Sequence, residues 1–157
     1  MRSLQIMLWL TSLLTLTVLV GSCTRVTVSE EEELAAERFE PEPGHGNVYI
    51  VREKTLAGSL VEIEVTVNGQ HIGPVNIGTY HLLELRPDRY IIAAYANKAD
   101  HKKTDIALEV EEGENHFIQV EPVFGFRPKA SVERIDADIG RSMVIKGSRL
   151  ITKPVAF

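Results

Sequence analysis

The sequence predicts an all-β fold, an antiparallel sandwich of roughly seven to eight strands, preceded by a signal peptide and an acidic tether with a candidate short helix. Three observations predict it. Val61, Ile63, Val65 and Val67 alternate with Glu62, Glu64 and Thr66, the period-two pattern of a strand with one buried and one wet face. That alternation runs into Asn68-Gly69 and resumes at His71, and Asn-Gly suits a hairpin because a type I′ turn needs positive φ at both central residues. Turn residues then recur through the chain and cut about ninety residues into about eight short strands, the spacing of a sandwich. No ten-residue segment after Asn47 has a convincing helical period.

The chain begins with a positive residue, Arg2, and an apolar run from Leu4 to Val20 broken only by Gln, Ser and Thr. This reads as an export signal over residues 1–22; an uncleaved spanning anchor is the alternative, since the run is near the lower length limit for one. Val20-Gly21-Ser22-Cys23 follows directly and resembles the bacterial lipobox. Small residues at Gly21 and Ser22 fit a narrow protease cleft, and only the Cys23 thiol can carry a diacylglyceryl thioether. Cleavage is expected between Ser22 and Cys23, with acyl chains as the link to the membrane. Thr24 in place of Asp after that cysteine points, by the sorting pattern of well-known Gram-negative bacteria, to the outer membrane, facing the periplasm. Cys23 is the only cysteine, so no intramolecular disulfide can form and the fold must hold by burial.

Charge excludes one class of partner. Seventeen basic residues stand against 22 acidic, a net charge of −5, and loss of Arg2 with the signal lowers it further. Nucleic-acid binding needs clustered Lys and Arg to neutralise phosphates, so none is expected. Residues 23–46 form the tether, whose seven Glu and two Arg make it strongly acidic. Ser29 and Glu32 have capping-box spacing at the start of a short helix, which Pro41 and Pro43 end. A solvated spacer is the plain reading and a partner-docking helix the other.

The sandwich is placed at residues 47–136. Asn47 to Arg52 is a first strand, and Ala57-Gly58-Ser59 a turn. His71 to Ile77, broken by Gly73-Pro74, belongs at an edge or a bulge. Thr79 to Leu85 and Tyr90 to Ala96 are expected to pair through Arg86-Pro87-Asp88-Arg89. Asp105 to Glu111 is expected to pair with Asn115 to Glu121 through Glu112-Gly113-Glu114, and Ala130 to Ile135 is a last strand. Residues 137–157 read as a loosely packed, mildly basic tail carrying Arg141, Lys146, Arg149 and Lys153, with room for one edge strand.

The order of these signals resembles a family of bacterial envelope lipoproteins known only as a domain of unknown function. The likeness runs from Gly46 to Gly140 through Val48-Tyr49-Ile50-Val51-Arg52, Gly58-Ser59, Val65-Thr66-Val67-Asn68-Gly69, Ile72-Gly73 and Gly78-Thr79-Tyr80. Pro87, Glu112-Gly113-Glu114 and Val132-Glu133-Arg134-Ile135 continue it. It implies a small sandwich of the transthyretin-like and PEGA-type group. The family tends to have Pro-Gly where this chain has Pro87-Asp88, and Asp tolerates left-handed conformations better than most residues. The resemblance implies no activity and no catalytic residues.

Chemistry finds little footing. His45, His71, His81, His101 and His116 show no His-x-His or His-Glu-x-x-His spacing, so neither a metal nor another cofactor is expected. His71 and His81 would face each other if their strands paired. No Gly-x-Ser-x-Gly elbow or phosphate-cradling loop is present, and Glu62 and Glu64 sit at a spacing that alternation alone explains. The expectation is therefore no enzyme, but a binding or structural accessory of the envelope with a protein partner. A small-ligand or glycan-binding module, or an unrecognised hydrolase, is the alternative. Three residues are candidates for the partner surface: Arg52, which ends an apolar strand, and Phe124 and Phe126, which flank Gly125 in a loop. A cavity joining Arg52 to a histidine would favour the alternative, and a flat surface with an open strand edge the partner reading.

Overall fold

The computed structural model describes residues 27–56, 58–96, 104–125 and 129–153. Among them are helix α1 (Glu30–Ala36), strands β1 (Gly46–Val51), β2 (Ile63–Val67), β3 (Gln70–Val75), β4 (Thr79–Leu85), β5 (Asp88–Tyr95), β6 (Thr104–Val110), β7 (Asn115–Val123) and β8 (Lys129–Arg134), helix α2 (Ala137–Lys146) and strand β9 (Ser148–Arg149). The strands form a five-stranded sheet, β8-β7-β1-β4-β9, facing a four-stranded sheet, β3-β2-β5-β6. Among the described residues the chain is thus an all-β sandwich with two short helices. Five of its seven pairings are antiparallel; β1 runs parallel to β7 and β4 parallel to β9.

The Asn-Gly turn forms as its chemistry requires, with Asn68 at φ 48° and Gly69 at φ 80°. Its hairpin joins β2 to β3, an edge strand with a register shift opposite Val65 and Thr66, where Gly73 takes φ 127°. The two later expected pairs do not form. β4 hydrogen-bonds to β1 and β9 while β5 bonds to β2 and β6, so Arg86-Pro87 carries the chain from one sheet to the other. Pro87 lacks an N–H and fixes φ, which suits a crossing better than a tight hairpin. The Glu111–Glu114 turn likewise passes from β6 to β7, and the Gly113 N–H donates to the His45 carbonyl beside β1. Crossing between sheets buries the apolar stripe of each strand against the other layer: Val48, Ile50, Val65, Val67, Ile92, Leu108, Ile118 and Val120 meet in the main core.

Three further expectations fail for one reason, burial on the outer faces of the sheets. Glu64 and Thr66 were expected to be wet, yet both are buried. β2 is an inner strand, with Tyr95 opposite Glu64 on β5 and His71 of β3 hydrogen-bonded to the Glu64 carboxylate. The outer face of the five-stranded sheet carries a second core of Tyr49, Val51, Tyr80, Leu82 and Phe117 under Ala36 of α1 and Val144 of α2.

The acidic segment is therefore no free spacer from Thr27 onward. Ser29 and Glu32 close the capping box, Thr27 bridges Leu150, and the Tyr49 hydroxyl donates to the Ala36 carbonyl at 2.8 Å. Burial pushes that phenol up to about 12. Phe39 lies against Tyr49 and Phe117, with Arg141 5.3 Å from its ring centroid.

The tail is not loosely packed either, since α2 covers the sheet and β9 adds an edge strand. Its helix was hidden by Gly140. A Cβ there would lie 2.3 Å from Cγ of Phe117, so the residue that weakens helical propensity is the one that lets the helix approach the aromatic ring. Asp136 caps the helix by accepting from the Asp138 N–H.

Candidate partner surface at one end of the sandwich

β1 leaves the sheet at Arg52, which is only 3% exposed. Its position follows the inward alternation of Val48 and Ile50, so the side chain enters the end of the main core. There the guanidinium donates three hydrogen bonds: Nη1 to the carbonyls of Val61 (2.8 Å) and Val75 (3.0 Å), and Nη2 to that of Gly58 (2.8 Å). Desolvation lowers its pKa from the ordinary arginine value, opposed by the charge of Glu121. Arg52, a candidate for the partner surface, is buried rather than displayed, and it fastens the β1–β2 loop to the end of β3.

That loop stands out from the surface. Leu56 is 95% exposed and Leu60 99%. Between them Gly58 sits at φ +79° with its backbone against the β7–β8 corner, where an added Cβ would lie 2.4 Å from Pro122 and 3.2 Å from Phe124. Phe124 is 63% exposed and Val123 48%. Four large apolar side chains, three on two abutting loops and Val123 at the end of β7, thus face solvent at one end of the sandwich. Phe126, Ser22 and Cys23 lie outside the described residues. Leu56 and Leu60 were missed because two leucines in a loop have no periodicity; a turn containing more leucine than its position requires is the signal that was available.

The β3 edge is less open than its sequence suggested. The Lys153 N–H donates to the Ile72 carbonyl, and His81, 1% exposed, ties the same segment down. Its Nε2 lies 3.1 Å from the Pro74 carbonyl and its Nδ1 3.0 Å from the Thr152 hydroxyl. A carbonyl only accepts, so Nε2 carries the proton and Nδ1 accepts from Thr152. Burial, chiefly, holds His81 below the ordinary histidine pKa.

His71 and His81 are not a facing pair but take separate partners, Glu64 and the Pro74–Thr152 bridge. His116 is buried, accepts at Nδ1 from Arg134 and has its pKa lowered by burial and then by that arginine. His45 donates to the Pro43 carbonyl, and His101 lies outside the described residues. Among the described residues no three of His, Cys, Asp or Glu come together in a metal-binding cluster.

One open cleft of about 660 Å³ lies between the β1–β2 loop and α2. Lys54, Gln119, Asp138, Ser142 and Lys146 line it beside Arg52, and no histidine does. This cleft does not join Arg52 to a histidine.

Comparison with curated proteins gives no match. A family model covers residues 42–133, from just before β1 to the penultimate residue of β8, leaving out both helices and β9. On that match, which spans more than half of the sequence, the chain belongs to the family described as "Protein of unknown function (DUF2846)".

Proposed function

We propose that this chain is a lipid-anchored protein of the bacterial cell envelope, held by acyl chains on Cys23 in the outer membrane, where it faces the periplasm and works by binding a protein partner rather than by catalysis. One observation carries the reading: the apolar end of the sandwich formed by Leu56, Leu60, Val123 and Phe124. Exposed apolar side chains grouped on one surface favour an occupant that covers them, and large apolar anchors give a binding patch its energy. The loop that presents Leu56 and Leu60 is braced from beneath by the Arg52 hydrogen bonds and by the close approach of the Gly58 backbone to Pro122. Little backbone freedom is therefore lost on binding. The partner fitting this chemistry is an envelope protein with a complementary apolar surface.

The test is in-cell crosslinking of tagged protein with a Cys23→Ser form alongside, together with the mass of the N-terminal peptide. A diacylglyceryl mass on Cys23, and one defined envelope protein captured by wild type and lost from Cys23→Ser, is the expected result. An unmodified cysteine overturns the anchor, and an acylated protein recovered alone overturns the partner. The cleft beside α2 supports a second reading, a small anionic ligand held by Lys54 and Lys146. Calorimetric titration with inorganic phosphate and simple sugar acids, compared with Lys54→Ala, distinguishes it.

A further inference from the structure

We propose that the segment from Ile145 to Lys153 is the face that the domain turns toward anionic lipid headgroups. The inference rests on the acylated Cys23 proposed above and adds an orientation to it. With residues 27–46 built into the domain, only Thr24, Arg25 and Val26 separate Cys23 from Thr27. Four residue steps reach at most about 14 Å. Thr27 itself is fixed: it bridges Leu150, and the Val28 N–H donates to the Arg149 carbonyl at 3.2 Å. An anchor at Cys23 therefore holds the β9 edge of the sandwich within that distance of the headgroups.

The composition of this edge departs from the rest of the chain. In a protein of net charge −5, Ile145 to Lys153 contains Lys146, Arg149 and Lys153 and no acidic residue. Lys146 and Lys153 are exposed, as are Ile145 (58%) and Ile151 (54%). Basic heads with apolar side chains among them suit the interface of an anionic bilayer. Four glutamates of α1 lie nearby and oppose such contact. Glu32 is engaged with Ser29 in the capping box, and Glu33 accepts from the Arg149 N–H. The Glu32 carbonyl accepts from Arg149 Nη1. Glu30 and Glu31 remain exposed, and the two lysines face the bilayer against them.

β8, at the other edge of the same sheet, is four strand spacings away, about 19 Å. The test uses that separation. Full-length acylated protein is reconstituted into phosphatidylglycerol-containing liposomes that carry a headgroup-attached quencher. A fluorophore is placed on Ile151→Cys or on Glu133→Cys, the thioether on Cys23 leaving one free thiol. The N-terminal peptide mass is read first, and an unmodified Cys23 overturns the anchor and the orientation together. With acylation established, quenching at position 151 at least about twice that at 133 is expected, the contrast falling when K146E and K153E are combined. Equal quenching at both positions, greater quenching at 133, or a contrast indifferent to K146E/K153E overturns the orientation and leaves the anchor standing.

Discussion

Arg52 holds three segments of backbone with one guanidinium, and its removal leaves the carbonyls of Gly58, Val61 and Val75 without that donor. Buried polar groups deprived of a charged partner cost about 3 kcal/mol together with the lost packing. Arg52→Ala is expected to lose about that much by urea denaturation, and Arg52→Lys to recover only part of it, since an ammonium lacks the planar fork. A loss under about 1 kcal/mol for Arg52→Ala would show that the loop does not depend on the clamp. His81 gives the fold an acid sensitivity. Its pKa is depressed in the folded state by burial, and that of His116 is depressed in the same sense. The unfolded chain then binds more protons than the folded one at mildly acid pH, so stability is full above about pH 6.5 and falls as pH drops below it. Urea midpoints between pH 7.5 and 5 are expected to fall, and His81→Gln to flatten that slope. An unchanged slope in the variant would remove His81 from the account.

At the scale of the element, α2 gives the sharpest contrast between propensity and packing. Gly→Ala in a helix ordinarily stabilises by about 1 kcal/mol. Gly140→Ala is instead expected to destabilise by about 2 kcal/mol, because its Cβ would lie 2.3 Å from the Phe117 ring; a rise in thermal midpoint would contradict the close contact. The same contrast explains what could be read from the chain. The β2–β3 hairpin was legible because Asn68-Gly69 is a local chemical demand, and α1 because Ser29 and Glu32 satisfy each other within one turn. Strand partners were not legible: Arg86-Pro87 and Glu112-Gly113-Glu114 look like hairpin turns in sequence but cross between sheets, a choice set by the core that both layers share. Glu64 read as wet because alternation gives its face but not the His71 and Tyr95 that flank it. Of the candidate surface, Phe124 was singled out by local pattern, as was the buried Arg52 beneath it, while Leu56 and Leu60 acquire meaning only when Gly58 is seen against Pro122.

For the whole molecule, the decisive feature is where the sandwich is closed and where it is not. Its β9–β3 side is strapped by Leu150 to Lys153, through the Lys153 bond to Ile72 and the Thr152 bond to His81. An exposed strand edge invites pairing with another chain. Truncation after Leu150 is accordingly expected to increase self-association in light scattering, and a monomer indistinguishable from wild type would show that the strap does not guard the edge. Strapping this edge and leaving Leu56, Leu60, Val123 and Phe124 in solvent is what supports the proposal of a binding surface at the loop end. The most direct test is photo-crosslinking in cells from a reactive side chain at position 60, with position 133 on β8 as the control. One defined envelope protein joined at 60, absent at 133 and lost on Phe124→Ser, is the expected result. Equal crosslinking from both positions, or none from 60, would contradict the claim that this end of the sandwich is where the protein binds.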